Sequence, residues 1–272
     1  MTQVSGSRTT AFTPVQSVGM VMRAEIRRAL RQGGMHKGMM ASAAAGIAFG
    51  ILSILLFKSA AADDGNLSVV GSLEVAALVT GLSLSLCICT FVGRDISSGF
   101  LETMAVLVPS RRRQLLGRWL GASSVVAGAS LITVLVTAAL VLATSGFSFD
   151  TLMPVIASLL ILPLSTVLFT SLAFFVASLA KRPILSILCL IALFIILPLG
   201  AAMLQVALPS PFAPAVNAVV EVSPTILFMK SIGVSTADAL GAWPIVSGLL
   251  GLMCWAAAAA AAAFYSATRR RV

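Results

Sequence analysis

Charge is what this sequence has least of. Charged residues make up 10% of its 272 positions, against roughly 25% in soluble domains. Six stretches carry none at all: residues 38–57, 75–93, 119–149, 151–180, 183–220 and 239–268. A membrane-spanning helix needs about 20 mostly apolar residues, and each stretch reaches or nearly reaches that length. With 59% hydrophobic residues, such a chain leaves little for a water-soluble domain.

Other shortages narrow the chemistry. Histidine occurs once, as His36, outside the uncharged stretches. There is no HExxH for zinc proteolysis, and spans without His or Asp supply no Ser–His dyad, Cys–His pair or intramembrane Asp pair. None of the four lysines follows the glycine-rich spacing that cradles phosphates. The four cysteines, Cys87, Cys89, Cys189 and Cys254, all lie in apolar runs. Cys87 and Cys89 are two residues apart and point in nearly opposite directions on a helix. They read as packing thiols, with no metal pair and no disulfide compartment implied. Carriers driven by ions place acids within the membrane. Here the deepest acids, Glu74 and Glu221, lie near one face, Glu74 either reaching the interface or lining a polar path. The energy source is therefore expected elsewhere.

The charges that are present fall on one side. An even number of crossings puts both termini together, with six Lys and Arg before the first run, five in residues 94–118, Lys181 and Arg182, and Arg269, Arg270 and Arg271. That is sixteen of eighteen, leaving Lys58 and Lys230. The positive-inside rule places that side, and both termini, in the cytoplasm. A net charge of +9 distributed this way is a topology signal rather than a nucleic-acid footprint, and anionic lipid is its natural partner. The first run exceeds the 7–15 residues of a signal-peptide core, so a retained first helix is expected.

Along the chain, residues 1–14 read as a tail rich in Ser and Thr. Residues 15–34 form an interfacial helix: Val15, Val18, Met22, Ile26, Ala29 and Leu30 recur at helical spacing, and Arg23, Arg27 and Arg31 occupy another face as headgroup anchors. Gly33 and Gly34 then turn the chain. Spans are expected at about 38–58, 69–92, 119–145, 152–180, 184–205 and 243–266, within a single domain covering 1–272. Between the fifth and sixth, Pro209, Pro211, Pro214 and Pro224 break the apolar sequence into short pieces. These fit broken helices dipping into the membrane under protein cover, or a loop on the lipid surface. The eight alanines 256–263 predict close packing on protein. Gly46 and Gly50 make one GxxxG, a motif common in apolar helices. Asn66, Leu67 and Ser68 match a glycosylation acceptor too near the membrane for use.

Residues 93–118, GRDISSGFLETMAVLVPSRRRQLLGR, are the largest internal loop on the basic side. Ile96, Phe100, Leu101, Met104 and Val108 mark one side of a short helix, with Asp95 or Ser97 as its N-cap and Pro109 as its stop. Arg111, Arg112 and Arg113 are placed to grip lipid phosphates. An amphipathic helix between two spans suits a docking knob, or an interfacial helix touching lipid alone.

The sequence of Asp95, Gly99, Leu101, Glu102, Thr103, Pro109, Arg111 and then Leu115, Leu116, Gly117 and Arg118 resembles the first cytoplasmic loop of type-2 ABC transporter permeases. The layout is similar too: an interfacial elbow helix, six spans, inward termini and a broken segment before span six. The FLET order at Phe100, Leu101, Glu102 and Thr103 departs from the GTLE order more usual in the family. The resemblance implies an all-α integral membrane subunit with no ATPase domain, in a cell membrane, most simply a bacterial plasma membrane. It implies pairing with a second permease copy, identical or related, and with a separate ATPase subunit that binds ATP and Mg; this chain would bind no cofactor. Arg94, Asp95, Gly99, Phe100, Leu101, Glu102 and Thr103 would couple that ATPase to export. The apolar span composition suits a hydrophobic or amphiphilic cargo such as a drug, lipid or peptide. An ion-coupled carrier and a non-transporting scaffold are the competing classes.

Overall fold

A computed structural model describes residues 17–31, 33–60, 65–100, 110–145, 149–180, 182–207, 213–233 and 243–269. Among the described residues the fold is all-α, without a strand. The helices are α1 (Val18–Arg31), α2 (Gly33–Ala60), α3 (Gly65–Ser97), α4 (Arg111–Ser145), α5 (Phe149–Ala180) and α6 (Pro183–Ile191). A π-helical turn (Ala192–Ile196) joins α6 to α7 (Leu197–Ala207), and α8 (Ala213–Val222), α9 (Pro224–Ile232) and α10 (Trp243–Arg269) complete the order. Six of these segments are long and apolar enough to cross a membrane: Gly34–Leu56, Gly71–Ser97, Arg111–Thr144, Leu152–Ala180, Pro183–Gly200 and Trp243–Thr268. This is the architecture of a multi-pass membrane protein.

The helices meet where small residues let backbones approach. A methyl group on Gly50 of α2 would lie 2.8 Å from Thr137 Cγ2 of α4 and 3.2 Å from Ala76 Cβ of α3. Gly46, one turn earlier, faces Thr80 and Thr133 in the same way. Two hydroxyls at this seam are satisfied within their own helices, Thr80 donating to Ala76 O at 2.7 Å and Thr133 to Ala129 O at 3.1 Å, while Thr137 Oγ1 is buried with no hydrogen-bond partner among the described residues. Thr133 and Thr137 turn their methyl groups to the two glycines, while Thr80 turns its Oγ1 to Gly46. The GxxxG of the first span is thus a three-helix contact.

Three expectations change. The elbow helix spans Val18–Arg31 and α2 begins at Gly33, so Gly33 and Gly34 lie in the first turn of α2 rather than turning the chain. On α1, Val21, Glu25 and Ala29 are buried while Leu30 is exposed; the buried face is turned by one position because Glu25 has partners inside the protein. The alanine run packs along one stripe only: Ala256 and Ala263 are buried, whereas Ala257, Ala258, Ala261 and Ala262 are exposed.

The fifth span is bent into a π turn for a local reason. Pro198 has no N–H to return to the carbonyl four residues back, that of Phe194. Leu197 N–H instead reaches Ala192 O, five residues back, and Thr225 Oγ1 of α9 donates to Phe194 O at 2.6 Å. A side chain from another helix therefore completes the bonding of the fifth span.

Broken helices do precede the last span. Pro224 holds Ser223 extended (φ −63°, ψ 141°) and itself starts α9 at a position where its missing N–H costs nothing. The two helices meet at a bend of 66°. Pro224, Thr225, Leu227, Phe228, Ser231 and Ile232 of α9 are all buried. The Phe228 ring stacks on Phe169 of α5 with centroids 4.3 Å apart, and Phe169 stacks on Phe194 at 4.2 Å. Gly81 of α3 leaves the space for Phe228, since a methyl there would come within 2.5 Å of Cζ.

The depth of α9 follows from these contacts. Gly93 of α3 packs on Pro183 of α6, levelling the two helices at one end. Phe194 lies eleven residues beyond Pro183, and Gly81 twelve from Gly93, which is about 16–18 Å at 1.5 Å per residue. The start of α9 therefore sits near the middle of the spans, covered on α3, α5, the π turn and α10. That shielding is the condition for interrupted backbone at such depth, and α9 is no surface loop.

Candidate functional site: a charge ring at the base of the basic loop

Helix α1 reaches the bundle through α4. A methyl on Gly117 would lie 2.6 Å from Val21 Cβ, and one on Gly121 would lie 2.8 Å from Glu25 Cβ and 3.1 Å from Met22 O. These two glycines, four apart, lay α1 directly on the first turns of α4. The close approach carries Glu25 over Arg118, three residues before Gly121 on the same face.

Four charges then close a ring. Arg118 Nε donates to Glu25 Oε1 at 3.3 Å and its Nη2 to Asp95 Oδ2. Arg28 Nη1 donates to Glu25 Oε2 at 3.4 Å and its Nη2 to Asp95 Oδ1. Each guanidinium bridges both carboxylates, and each carboxylate gives one oxygen to each arginine. Glu25, Asp95 and Arg118 are 4%, 5% and 3% exposed. Burial on this scale is tolerated because two positive and two negative groups are present with fork geometry. Arg28 also lies over the rings of Phe91 and Phe100, 4.6 and 4.0 Å from their centroids, which adds cation–π attraction to the more exposed arginine.

The ring ties three elements at one point: α1, the last turn of α3, and the first turns of α4. Residues 101–109 connect the latter two. Asp95 is therefore no N-cap of a loop helix. Helix α3 runs on through Ser97, whose hydroxyl donates to Arg94 O at 3.0 Å, so Ser97 caps nothing either. Gly99 ends the run with φ +69°, a left-handed conformation, and a methyl there would meet nothing within 4 Å. Glycine is required at this position by backbone conformation alone.

Of the loop residues expected to couple to a partner, the structure gathers Asp95 and Phe100 around Arg28, sets Gly99 between them, and leaves Arg94 exposed beside Gly34. Leu101, Glu102 and Thr103 lie outside the described residues, as does Pro109. The expected anchors Arg23, Arg27, Arg31, Arg111, Arg112 and Arg113 are all exposed. So are Lys37 and Arg182, and the two described acids of this end are locked in the ring. Its exposed surface is consequently basic throughout among the described residues. Three arginines in the first turn of α4, with no acid there, oppose the helix macrodipole; helix stability is not what places them.

On the sequence alone Glu25, Arg28 and Arg118 count only as charges of the basic side, and their union comes from the fold. The available signal was Glu25 in register with Val18, Val21 and Ala29 on a face that should be apolar, with Arg28 three residues on. Among the described residues no group of three or more His, Cys, Asp or Glu could hold a metal ion. Neither a family model nor any curated protein matches the sequence.

Proposed function

We propose that this chain is the membrane-spanning permease subunit of an ATP-driven ABC exporter. Its basic end would face the cytoplasm of a bacterial cell, with the termini on that side. A separate ATPase subunit would hold ATP and Mg and dock against residues 94–103, and a second permease copy would complete the transport path. Cargo would be hydrophobic or amphiphilic, moving outward between spans whose linings are apolar. The exposed arginines of α1 and α4 would grip anionic headgroups.

The observation that carries this reading is the charge ring. A loop whose two flanking helices are joined to each other and to α1 through one buried cluster transmits a push on the loop to all three as a unit. That is the mechanical requirement for an energy source held on another chain. The similarity of the loop to type-2 permeases supplies the kind of partner.

Co-purification with an ATPase subunit, followed by reconstitution of the pair into vesicles, tests the proposal. Substrate-stimulated ATP hydrolysis and ATP-dependent export are expected. Glu102→Ala, or Phe100→Ala with Leu101→Ala, should leave membrane insertion intact and separate hydrolysis from export. Normal export by those variants overturns the docking assignment. Transport by the purified chain alone on an ion gradient overturns the ABC reading.

A further inference from the structure

The face of α1 turned away from Val21, Glu25 and Ala29 carries Met20, Arg23, Arg27, Leu30 and Arg31, all exposed. They recur every three or four residues along one side of the helix. Among the described residues none of these three arginines forms an ion pair. Arg23 with Arg27, and Arg27 with Arg31, are like-charge pairs one turn apart, an arrangement that weakens a helix standing alone. Large apolar side chains set among arginines suit neither bulk water nor a protein core. They suit the boundary of a leaflet with anionic headgroups.

The position of α1 matches that boundary. The carbonyl of Val18, its first residue, lies 3.1 Å from a methyl built on Gly117. Just past its other end, a methyl on Gly34 would lie 3.6 Å from Arg94 Nη1. Gly117 and Arg94 each neighbour a member of the Arg118–Asp95 pair, so both ends of α1 stand near one level of the bundle. With its 14 residues, α1 is about 21 Å long. It therefore crosses the end of the bundle obliquely, where α3 ends and α4 begins, instead of running along it. The buried face of the same helix belongs to the ring. Glu25 and Arg28 hold Arg118 of α4 and Asp95 of α3, and Arg28 lies over Phe100 at the base of the basic loop. One rigid helix thus carries a lipid-suited face outside and the loop's anchor inside.

We propose that the outer face of α1 binds anionic phospholipid headgroups and that this contact, passed through the charge ring, orders the base of the loop between the second and third spans. In an anionic leaflet α1 is held at the surface and the ring holds residues 95–100. In a neutral leaflet α1 lifts more readily and the base of the loop loosens. This regulation rests on the headgroup contact of the proposed function and holds whichever partner meets the loop.

Hydrogen exchange on the full chain, in nanodiscs of phosphatidylcholine alone or mixed with phosphatidylglycerol, tests the link. In the wild type, phosphatidylglycerol should slow exchange of residues 18–31 and of residues 96–100, the latter by about fivefold or more. High salt should erase the difference. Arg23→Gln, Arg27→Gln and Arg31→Gln together should exchange alike in the two lipids, although Arg111, Arg112 and Arg113 are kept. Replacing the ring (Glu25→Leu, Arg28→Met, Asp95→Leu, Arg118→Met) should keep the lipid response of residues 18–31 and remove that of 96–100. Equal exchange of 96–100 in the two lipids by the wild type overturns the proposal, and so does a response there that survives in either variant. The lipid and salt arms on the wild type decide the matter even where a variant does not fold. Protection by polyglutamate in pure phosphatidylcholine, with none from phosphatidylglycerol, would make α1 a protein-binding face and overturn the lipid assignment. Whether the chain serves an ATP-driven exporter is decided separately, by co-purification.

Discussion

Arg118 and Asp95, at opposite ends of the loop between the second and third spans, form a buried ion pair. Glu25 and Arg28 of α1 close it into a ring of four. The ring sits at the base of that loop, where α3 ends and α4 begins. The loop's mechanical character resides there, since neither flanking helix can shift without the other.

The first prediction concerns that ring. Arg118→Ala or Asp95→Ala leaves buried charge without its partner and should destabilise the folded chain by about 3–5 kcal/mol. Replacing all four members together (Glu25→Leu, Arg28→Met, Asp95→Leu, Arg118→Met) should cost less than either single change, because no orphan charge remains. Arg118→Lys should fall between, keeping the charge but losing the fork that spans two carboxylates. Thermal unfolding of the purified protein in detergent gives the order. Equal losses for the single and fourfold variants would show that the ring acts through packing instead.

A second prediction concerns the two glycines that bring α1 within reach. Gly117→Leu or Gly121→Leu inserts a side chain where even a methyl group meets Val21 or Glu25 at 2.6–2.8 Å. Overpacking of this kind costs about 1–3 kcal/mol, and α1 should lift from α4. Limited trypsin digestion reads the result: cleavage after Arg23 and Arg27, slow in the wild type, should accelerate. An unchanged cleavage rate would mean that α1 is held by the ring alone.

The third prediction couples two helices through one hydroxyl. Thr225→Val removes the donor to Phe194 O and should cost about 1–3 kcal/mol, the penalty for an unsatisfied buried acceptor. In a Pro198→Ala background the helix regains its own N–H for that carbonyl, and the same Thr225→Val change should cost distinctly less. The double-mutant cycle isolates the interaction. Additive effects would show that Thr225 contributes packing and no compensating hydrogen bond.

Much of the architecture was legible from the chain because lipid imposes a simple rule: about 20 apolar residues per crossing, with charge left outside. The break at Pro224 was equally local, since proline restricts the residue before it; the π turn ahead of Pro198 lay inside what read as one uninterrupted span. The base of the loop was partly legible. Asp95, Gly99 and Phe100 stood out as a motif, but Asp95 was read as a cap because nothing in the sequence says that α3 continues past the membrane edge. Phe100 was read as one face of a loop helix, and it is helical, but no sequence signal places its ring against Arg28.

By itself, then, the sequence determined the number of spans, the side that gathers the bases and the break at Pro224 before the last span. Each of these follows from composition within a window of about 20 residues. Only the tertiary structure decided which charges are surface and which are core. Glu25 and Arg118 are 93 residues apart along the chain, and their pairing depends on Gly117 and Gly121 letting α1 settle on α4. The seat of α9 was decided the same way, by Gly81, Gly248 and Gly251 leaving room for it. Absent side chains carry no periodic signal, and the space they leave acquires meaning only when another helix fills it.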